Sequence, residues 1–168
     1  MANFIVNHKT LTPTATADTT DLVDSTYPFA LQGASGSRNM IKEVYGGGQA
    51  PSTSSPIILL FARDSQIATG ALTKNTLLTE AILDFSGNVA STATSFNIAA
   101  TLKPRRSSSL MLMNLSFNAF GGIVRWVPKD GTEPTVVGNT ASGGEASLSA
   151  FTGGTPGLAG FHMIYESL

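Results

Sequence analysis

The apolar residues of this chain come in short runs that alternate with polar ones. Phe161, Met163 and Tyr165 alternate with His162 and Ile164, and Ala146, Leu148 and Ala150 alternate with Ser147 and Ser149. Across the stretch from Ser95 to Leu102, Phe96, Ile98 and Ala100 fall on one face. A period of two sends successive side chains to opposite faces of a pleated strand, so each run has one face to bury and one to leave in water. The runs are interrupted by Gly, Ser, Thr, Asn and Pro at intervals of about 10–15 residues, the spacing of linked short strands rather than of βαβ units. The expectation is an all-β protein, an antiparallel β-sandwich or jelly roll with little helix. Residues 21–168 form its single domain, and residues 1–20 are either an extended N-terminal arm or the first strand of the same sheet.

Phe4-Ile5-Val6 is a short strand or arm, and Val23 to Leu31 carries Pro28, which suits an edge strand or a bend. Gly33 to Gly36 is a turn, Asn39 to Tyr45 a strand, and Gly46-Gly47-Gly48 opens a flexible loop that runs to Pro56. Ile57 to Phe61 is a buried strand, and Gln66 to Leu72 continues the sheet. Thr73 to Leu83 fits two structures: Leu77, Leu78, Ala81 and Ile82 share one helical face behind Thr73 as N-cap, and the same residues also make a strand. Ile82 to Phe85 and the residues from Val89 onward form a hairpin about Ser86-Gly87-Asn88. Lys103 to Ser109 is a polar loop, and Leu110 to Phe117 is apolar on both sides, as a central strand is. Ile123 to Val127 and Pro134 to Val137 flank Asp130-Gly131, the strongest hairpin signal in the chain. The expected core is Ile58, Leu60, Phe96, Ile98, Leu112, Val124, Trp126, Leu148 and Met163.

Composition narrows the chemistry. Charged residues are 12% of the 168, against about 25% in ordinary soluble domains, and the formal net charge is -1. The difference is made up by 20 Thr, 18 Ser, 19 Ala and 17 Gly. With no cysteine there is no disulfide framework, thiolate nucleophile or thiolate metal site. Near-neutral charge lacks the basic stripe of a nucleic-acid binder, so no nucleic-acid partner is expected. The longest apolar run, Ile57 to Ala62, is far below the ~20 residues of a membrane span, and no signal peptide is visible at the start, so synthesis in a cytoplasm without a membrane partner is expected.

Catalysis needs a nucleophile, a base and a group that orients them. His8 and His162 have no carboxylate partner in any motif, and His162 reads as an outward-facing or hydrogen-bonded strand residue. The glycine clusters at 46–48 and 153–157 lack the lysine and the helix of a phosphate loop and read as turns. Asp18, Asp21 and Asp24 recur at a spacing of three, but without a loop glycine or a terminal bidentate Glu they read as a solvated acidic edge. No enzyme, cofactor or metal is expected. Lys103, Arg105 and Arg106 form the only basic cluster, read as an exposed loop tip able to meet an acidic protein surface. Phe4, Ile5 and Val6 are the second candidate contact, an apolar arm that docks on a neighbouring subunit or on a partner protein.

The stretch from Gly121 to Leu168 carries a resemblance. Gly121-Gly122-Ile123-Val124-Arg125-Trp126-Val127, the Asp130-Gly131 turn, Ala146 to Phe151 and Phe161 to Tyr165 resemble the small β-sandwich structural proteins of tailed bacteriophages, above all their head decoration (cement) proteins. The resemblance implies a cysteine-free homotrimer on the outer capsid surface of a virion, with the major capsid protein as partner and no catalytic residues. Two other readings stay open. One is a receptor- or glycan-binding module of a phage fibre that stacks Trp126, Tyr45 or Tyr27 on sugar rings; the other is a small capsid shell subunit.

Overall fold

The computed structural model describes residues 2–8, 21, 28–49, 56–83, 90–138, 147–153 and 159–168. Every regular element among them is a strand, and every strand pairing is antiparallel. In chain order these are β1 (Ala2–His8), β2 (Phe29–Gly33), β3 (Arg38–Gly48), β4 (Pro56–Gln66), β5 (Leu72–Thr73), β6 (Leu78–Ile82) and β7 (Ala93–Phe96). They continue with β8 (Ile98–Ala99), β9 (Arg105–Asn118), β10 (Ile123–Trp126), β11 (Thr135–Val137), β12 (Ser147–Gly153) and β13 (Ala159–Ser167). A six-stranded sheet has the order β10-β3-β13-β1-β6, with β11 also on β3, and a five-stranded sheet has the order β7-β2-β12-β4-β9. A two-stranded piece, β5-β8, completes the set.

The pairings are nested. β1 pairs with β13, β2 with β12, β3 with β10 and β4 with β9, so the chain runs as one long antiparallel ribbon folded back between β4 and β9. Both sheets contribute to one hydrophobic cluster: Phe29, Leu31, Phe61 and Phe117 from the five-stranded sheet meet Ile41, Val44, Phe161, Met163 and Tyr165 from the six-stranded one. Phe117 and Phe161 meet edge to face across the sheets at 5.7 Å. A second cluster of Ala30, Ala62, Ala68, Phe96 and Ala99, joined by Leu72, sits on the other side of β2 and β4 beneath the β5-β8 piece.

Alternation sets the faces of β13, whose residues from Ala159 to Ser167 alternate strictly between buried and half-buried, as expected for Phe161, Met163 and Tyr165. Phe96 and Met163 are fully buried, while Leu112, Val124 and Trp126 pack half-buried on the main cluster. The side chains of Ile58, Leu60 and Leu148 lie outside the described residues. Ile98 is only half-buried and Ala100 is exposed. The alternation from Phe96 breaks at Asn97, which is buried to accept the backbone N–H of Asn75 at 2.9 Å and so splits the run into β7 and β8.

Several expectations are corrected. Within the segment from Thr73 to Leu83, which fitted helix and strand alike, Thr73 ends β5 and Leu78–Ile82 is the strand β6, entered through a turn at Asn75. β1 is an interior strand, paired with β13 on one side and β6 on the other; residues 9–20 lie outside the described residues. Ile123–Trp126 and Thr135–Val137 do not form a hairpin with each other; both pair with β3, end to end along the same edge. The turn at Asp130-Gly131 is real, with Gly131 at φ 83°, a conformation that side chains with a Cβ avoid, but it makes an excursion from that edge. The Ser86-Gly87-Asn88 turn lies outside the described residues, and its flanking strands β6 and β7 belong to different sheets. Gly46-Gly47-Gly48 is strand, not loop: a Cβ on Gly48 would stand 2.3 Å from the Ala119 carbonyl oxygen, so the turn after β9 packs directly on the β3 backbone. The residues from Arg105 to Ser109 are also strand.

β9 is an edge strand rather than a central one. It carries an extra residue at Leu112: β4 advances from Phe61 to Ala62 while β9 steps from Met113 to Met111. A bulge reverses the facing of the residues beyond it, which is why Leu112 and Leu115, of opposite parity, both pack on the main cluster.

Candidate functional site

Lys42, Glu43, Arg125, Glu133, His162 and Glu166 gather on the outward face of the six-stranded sheet. β3 carries a bulge: Ile41 pairs with Tyr165 and Glu43 with Ile164, leaving Lys42 as an extra residue. The bulge brings Lys42 and Glu43, neighbours in sequence, onto the same half-buried side. Lys42 Nζ donates to Glu133 Oε1 at 3.0 Å and reaches Glu166 Oε2 at 3.2 Å. Arg125 Nη2 donates to Glu43 Oε2 at 2.7 Å, and His162 Nε2 shares a hydrogen bond with Glu43 Oε1 at 3.1 Å. The His162 ring stacks on Tyr45 with centroids 4.9 Å apart and planes within 5°. Register explains the row: Arg125 and His162 are both directly opposite Tyr45, on the two sides of β3.

These contacts shift the ionisations in the expected directions. The hydrogen bond from Arg125, and then that with His162, holds the Glu43 carboxyl below its ordinary value despite partial burial. The hydrogen bond to Glu133 holds the Lys42 ammonium above its ordinary value, and Arg125 is raised by Glu43. Glu133 is lowered by a hydrogen bond to its own backbone and then by Lys42. Each group has a counter-charge within the sheet.

A second polar cluster lies between the sheets. The Tyr165 hydroxyl donates to Glu80 Oε1 and is 2.8 Å from Ser91 Oγ. Glu80 Oε2 accepts from Lys74 Nζ at 2.6 Å and from Ser95 Oγ at 3.0 Å. Glu80 is on β6 and Ser95 on β7, so the cluster ties the two sheets together at this end. Burial first, and then the Glu80 charge, push the Tyr165 phenol far above its ordinary range, so it is a fixed donor at any working pH. Nearby, Asn39 Oδ1 accepts from Thr92 Oγ1 at 3.1 Å and from Ser167 Oγ at 2.5 Å.

The residues expected at contacts do not come together. Phe4, Ile5 and Val6 lie in β1 opposite Tyr165, Ile164 and Met163, inside the six-stranded sheet. The basic cluster is not a free loop tip: Lys103 Nζ donates to the Ala99 carbonyl, and Arg105 Nε bonds Asp21 at the start of β9. Arg106 pairs with Asp64 in the β9–β4 ladder, its side chain outside the described residues. Asp21 also accepts from Gln66 Nε2 at 3.2 Å, so it serves as a counter-ion, while Asp18 and Asp24 lie outside the described residues. Of the aromatics considered for sugar stacking, Trp126 packs half-buried on the main core, Tyr45 stacks on His162, and Tyr27 lies outside the described residues. His162 is the outward-facing, hydrogen-bonded strand residue that the alternation suggested.

Apolar exposure is concentrated at the sheet edges. Among the described residues, the exposed large apolar side chains are Leu83, Phe120, Ile123, Val127 and Leu168. Phe120, Ile123 and Val127 belong to β10 and its flanks, and Leu83 comes directly after β6; these two strands are the outer ones of the six-stranded sheet. Comparison with protein-family models, curated proteins and solved structures finds no match to this chain.

Proposed function

We propose that this chain is a structural subunit of a virus particle, a β-sandwich of jelly-roll type that attaches to the outer surface of a phage head as a decoration (cement) protein. In this reading it is a homotrimer whose partner is the major capsid protein. The observation that carries the reading is the nested strand pairing. A jelly roll is a two-sheet winding of an antiparallel ribbon, its first strand beside its last, used by viral capsid and lectin domains. In support, β1, β2, β3, β4, β9, β10, β12 and β13 pair first with last, second with seventh, third with sixth and fourth with fifth. Along the ribbon the pairs also alternate between the sheets. Further support comes from the core shared by both sheets and from charges neutralised within the subunit, which leave apolar edges for neighbours.

The same strand order also favours a second reading, a subunit of the shell itself. Particles purified from the source of this sequence are expected to contain the chain at a fixed ratio to the main shell protein, with antibody reaching it on intact particles. Absence of the chain from purified particles would refute both readings. Particles that still assemble when the chain is left out identify a decoration protein; failure of any particle to form identifies a shell subunit.

A further inference from the structure

We propose that β10 and β6, the two outer strands of the six-stranded sheet, are the two halves of one head-to-tail contact between copies of this chain. The inference rests on the reading of the chain as a self-associating subunit and names the surfaces involved. Among the described residues, β10 pairs only with β3 and β6 only with β1, so each has one main-chain edge open. An open edge is a template for another strand, and monomeric proteins usually guard it with charge or proline.

Here the edge charges are paired within the subunit. Arg125 of β10, between Ile123 and Val127, is 62% exposed but held by Glu43 at 2.7 Å. Glu80, the one charged residue of β6, is held by Lys74, Ser95 and Tyr165. Around that paired guanidinium the edges present apolar or neutral side chains: Ile123 is 66% exposed and Val127 54%, with Phe120 at 56% in the preceding turn, while β6 presents exposed Thr79 and Ala81 and then Leu83 at 50%. Bringing β10 of one copy to β6 of the next therefore covers apolar surface and satisfies main-chain groups without stranding a charge.

A second copy is the occupant that uses both edges at once. A two-fold contact of β10 with itself would leave Leu83 in water, and one of β6 with itself would leave Phe120, Ile123 and Val127 there. A head-to-tail contact covers both sets by a single repeated interface, which closes as a ring when the rotation allows and otherwise extends as a filament.

The test uses the full chain with one lysine placed on each edge, Ile123→Lys and Leu83→Lys, at side chains exposed enough that folding, checked by circular dichroism, is unaffected. Sedimentation velocity at micromolar concentration is expected to show an oligomer for the unchanged chain and a monomer for either variant, with at least a tenfold weaker association. An equal mixture of the two variants is expected to give a 1:1 dimer, because the intact β10 of one meets the intact β6 of the other. A Leu83→Lys chain that associates like the unchanged one, or a mixture that stays monomeric, overturns the head-to-tail contact and leaves the virion reading to its own test. A monomeric unchanged chain overturns the contact outright.

Discussion

Replacing Tyr165 with phenylalanine removes one hydroxyl from the interior and leaves the ring in place. That ring is fully buried, and the hydroxyl serves Glu80 Oε1 and Ser91 Oγ. Glu80 Oε2 keeps Lys74 and Ser95, so the loss falls on Oε1, which would then face a phenyl edge. A hydrogen bond to a charged group contributes about 1.5–3 kcal/mol, and the cost of leaving the acceptor unpaired is the same loss seen from the other side. The Glu80 side chain retains 17% exposure, so water recovers part of it, and the expected destabilisation is about 1.5–2.5 kcal/mol. For a domain of this size that is a fall in Tm of roughly 3–10 °C. Urea denaturation followed by circular dichroism measures it, and a double-mutant cycle of Tyr165→Phe with Glu80→Ala isolates the pair. The expected coupling is above about 1 kcal/mol, because either change alone breaks the same bond. A Tyr165→Phe chain within about 0.5 kcal/mol of the unchanged one, the scale of an ordinary surface substitution, would refute the claim that this cluster ties the sheets. So would additive single changes.

Gly48→Ala is expected to destabilise by about 1–3 kcal/mol or more, since its Cβ would meet the Ala119 and Asn118 carbonyl oxygens at 2.3 and 2.4 Å; an unchanged urea midpoint would contradict that close approach. Deleting residues 2–8 removes a strand paired on both sides, and the shortened chain is expected to lose its cooperative thermal transition; a retained transition would mean β1 is dispensable. Glu43, held below its ordinary value of 4.5, contributes stability that is complete above that pH and is lost as pH falls through its lower folded value. The stability gap between the unchanged chain and Arg125→Ala is therefore expected to be constant near neutrality and to close in acid, and a gap unchanged down to pH about 3 in denaturation at stepped pH would contradict the pairing.

The strands were legible because facing is a local property. Alternation at Phe161, Met163 and Tyr165 placed these side chains on the buried face of β13, since period two is fixed by the pleat alone. Partners were not legible. Asp130-Gly131 is a hairpin signal wherever the flanking segments are free to pair, yet here β3 takes both segments, and that competition is decided by residues about 75 to 100 positions away in the chain. The outward cluster was hidden for a related reason. Without the extra residue at Lys42, Glu43 would fall on the other face of β3 from Lys42, and no sequence pattern marks the bulge. Leu110 to Phe117 read as central because it is apolar on both sides; it lies at an edge, and the bulge at Leu112 turns residues of both parities to one core. The basic cluster failed for want of a partner in view, since Asp21 lies 84 positions from Arg105.

A chain with 10 basic and 11 acidic residues has few charges to distribute, and their placement separates two uses. Spread along open edges, they would keep the molecule single by making strand addition costly. Here Lys42, Glu43, Arg125, Glu133, His162 and Glu166 form two groups across β3 and its neighbours, satisfied within the sheet. Ion pairs whose cation stays open to solvent, as those of Lys42 and Arg125 do, contribute little to stability. Their larger consequence lies in what they leave uncharged. Arg125 is the single charge between two exposed apolar residues at an edge, and Glu43 has already claimed it. Removing Glu43 should therefore do more to association than to folding: Glu43→Gln releases the guanidinium toward the open edge, where it repels an apolar neighbour through the cost of burying an unpaired cation. The expected outcome is a chain that melts within a few degrees of the unchanged one yet sediments as a smaller species. A Glu43→Gln chain that loses stability but keeps its oligomeric state would show that the pair serves the fold and not the edge.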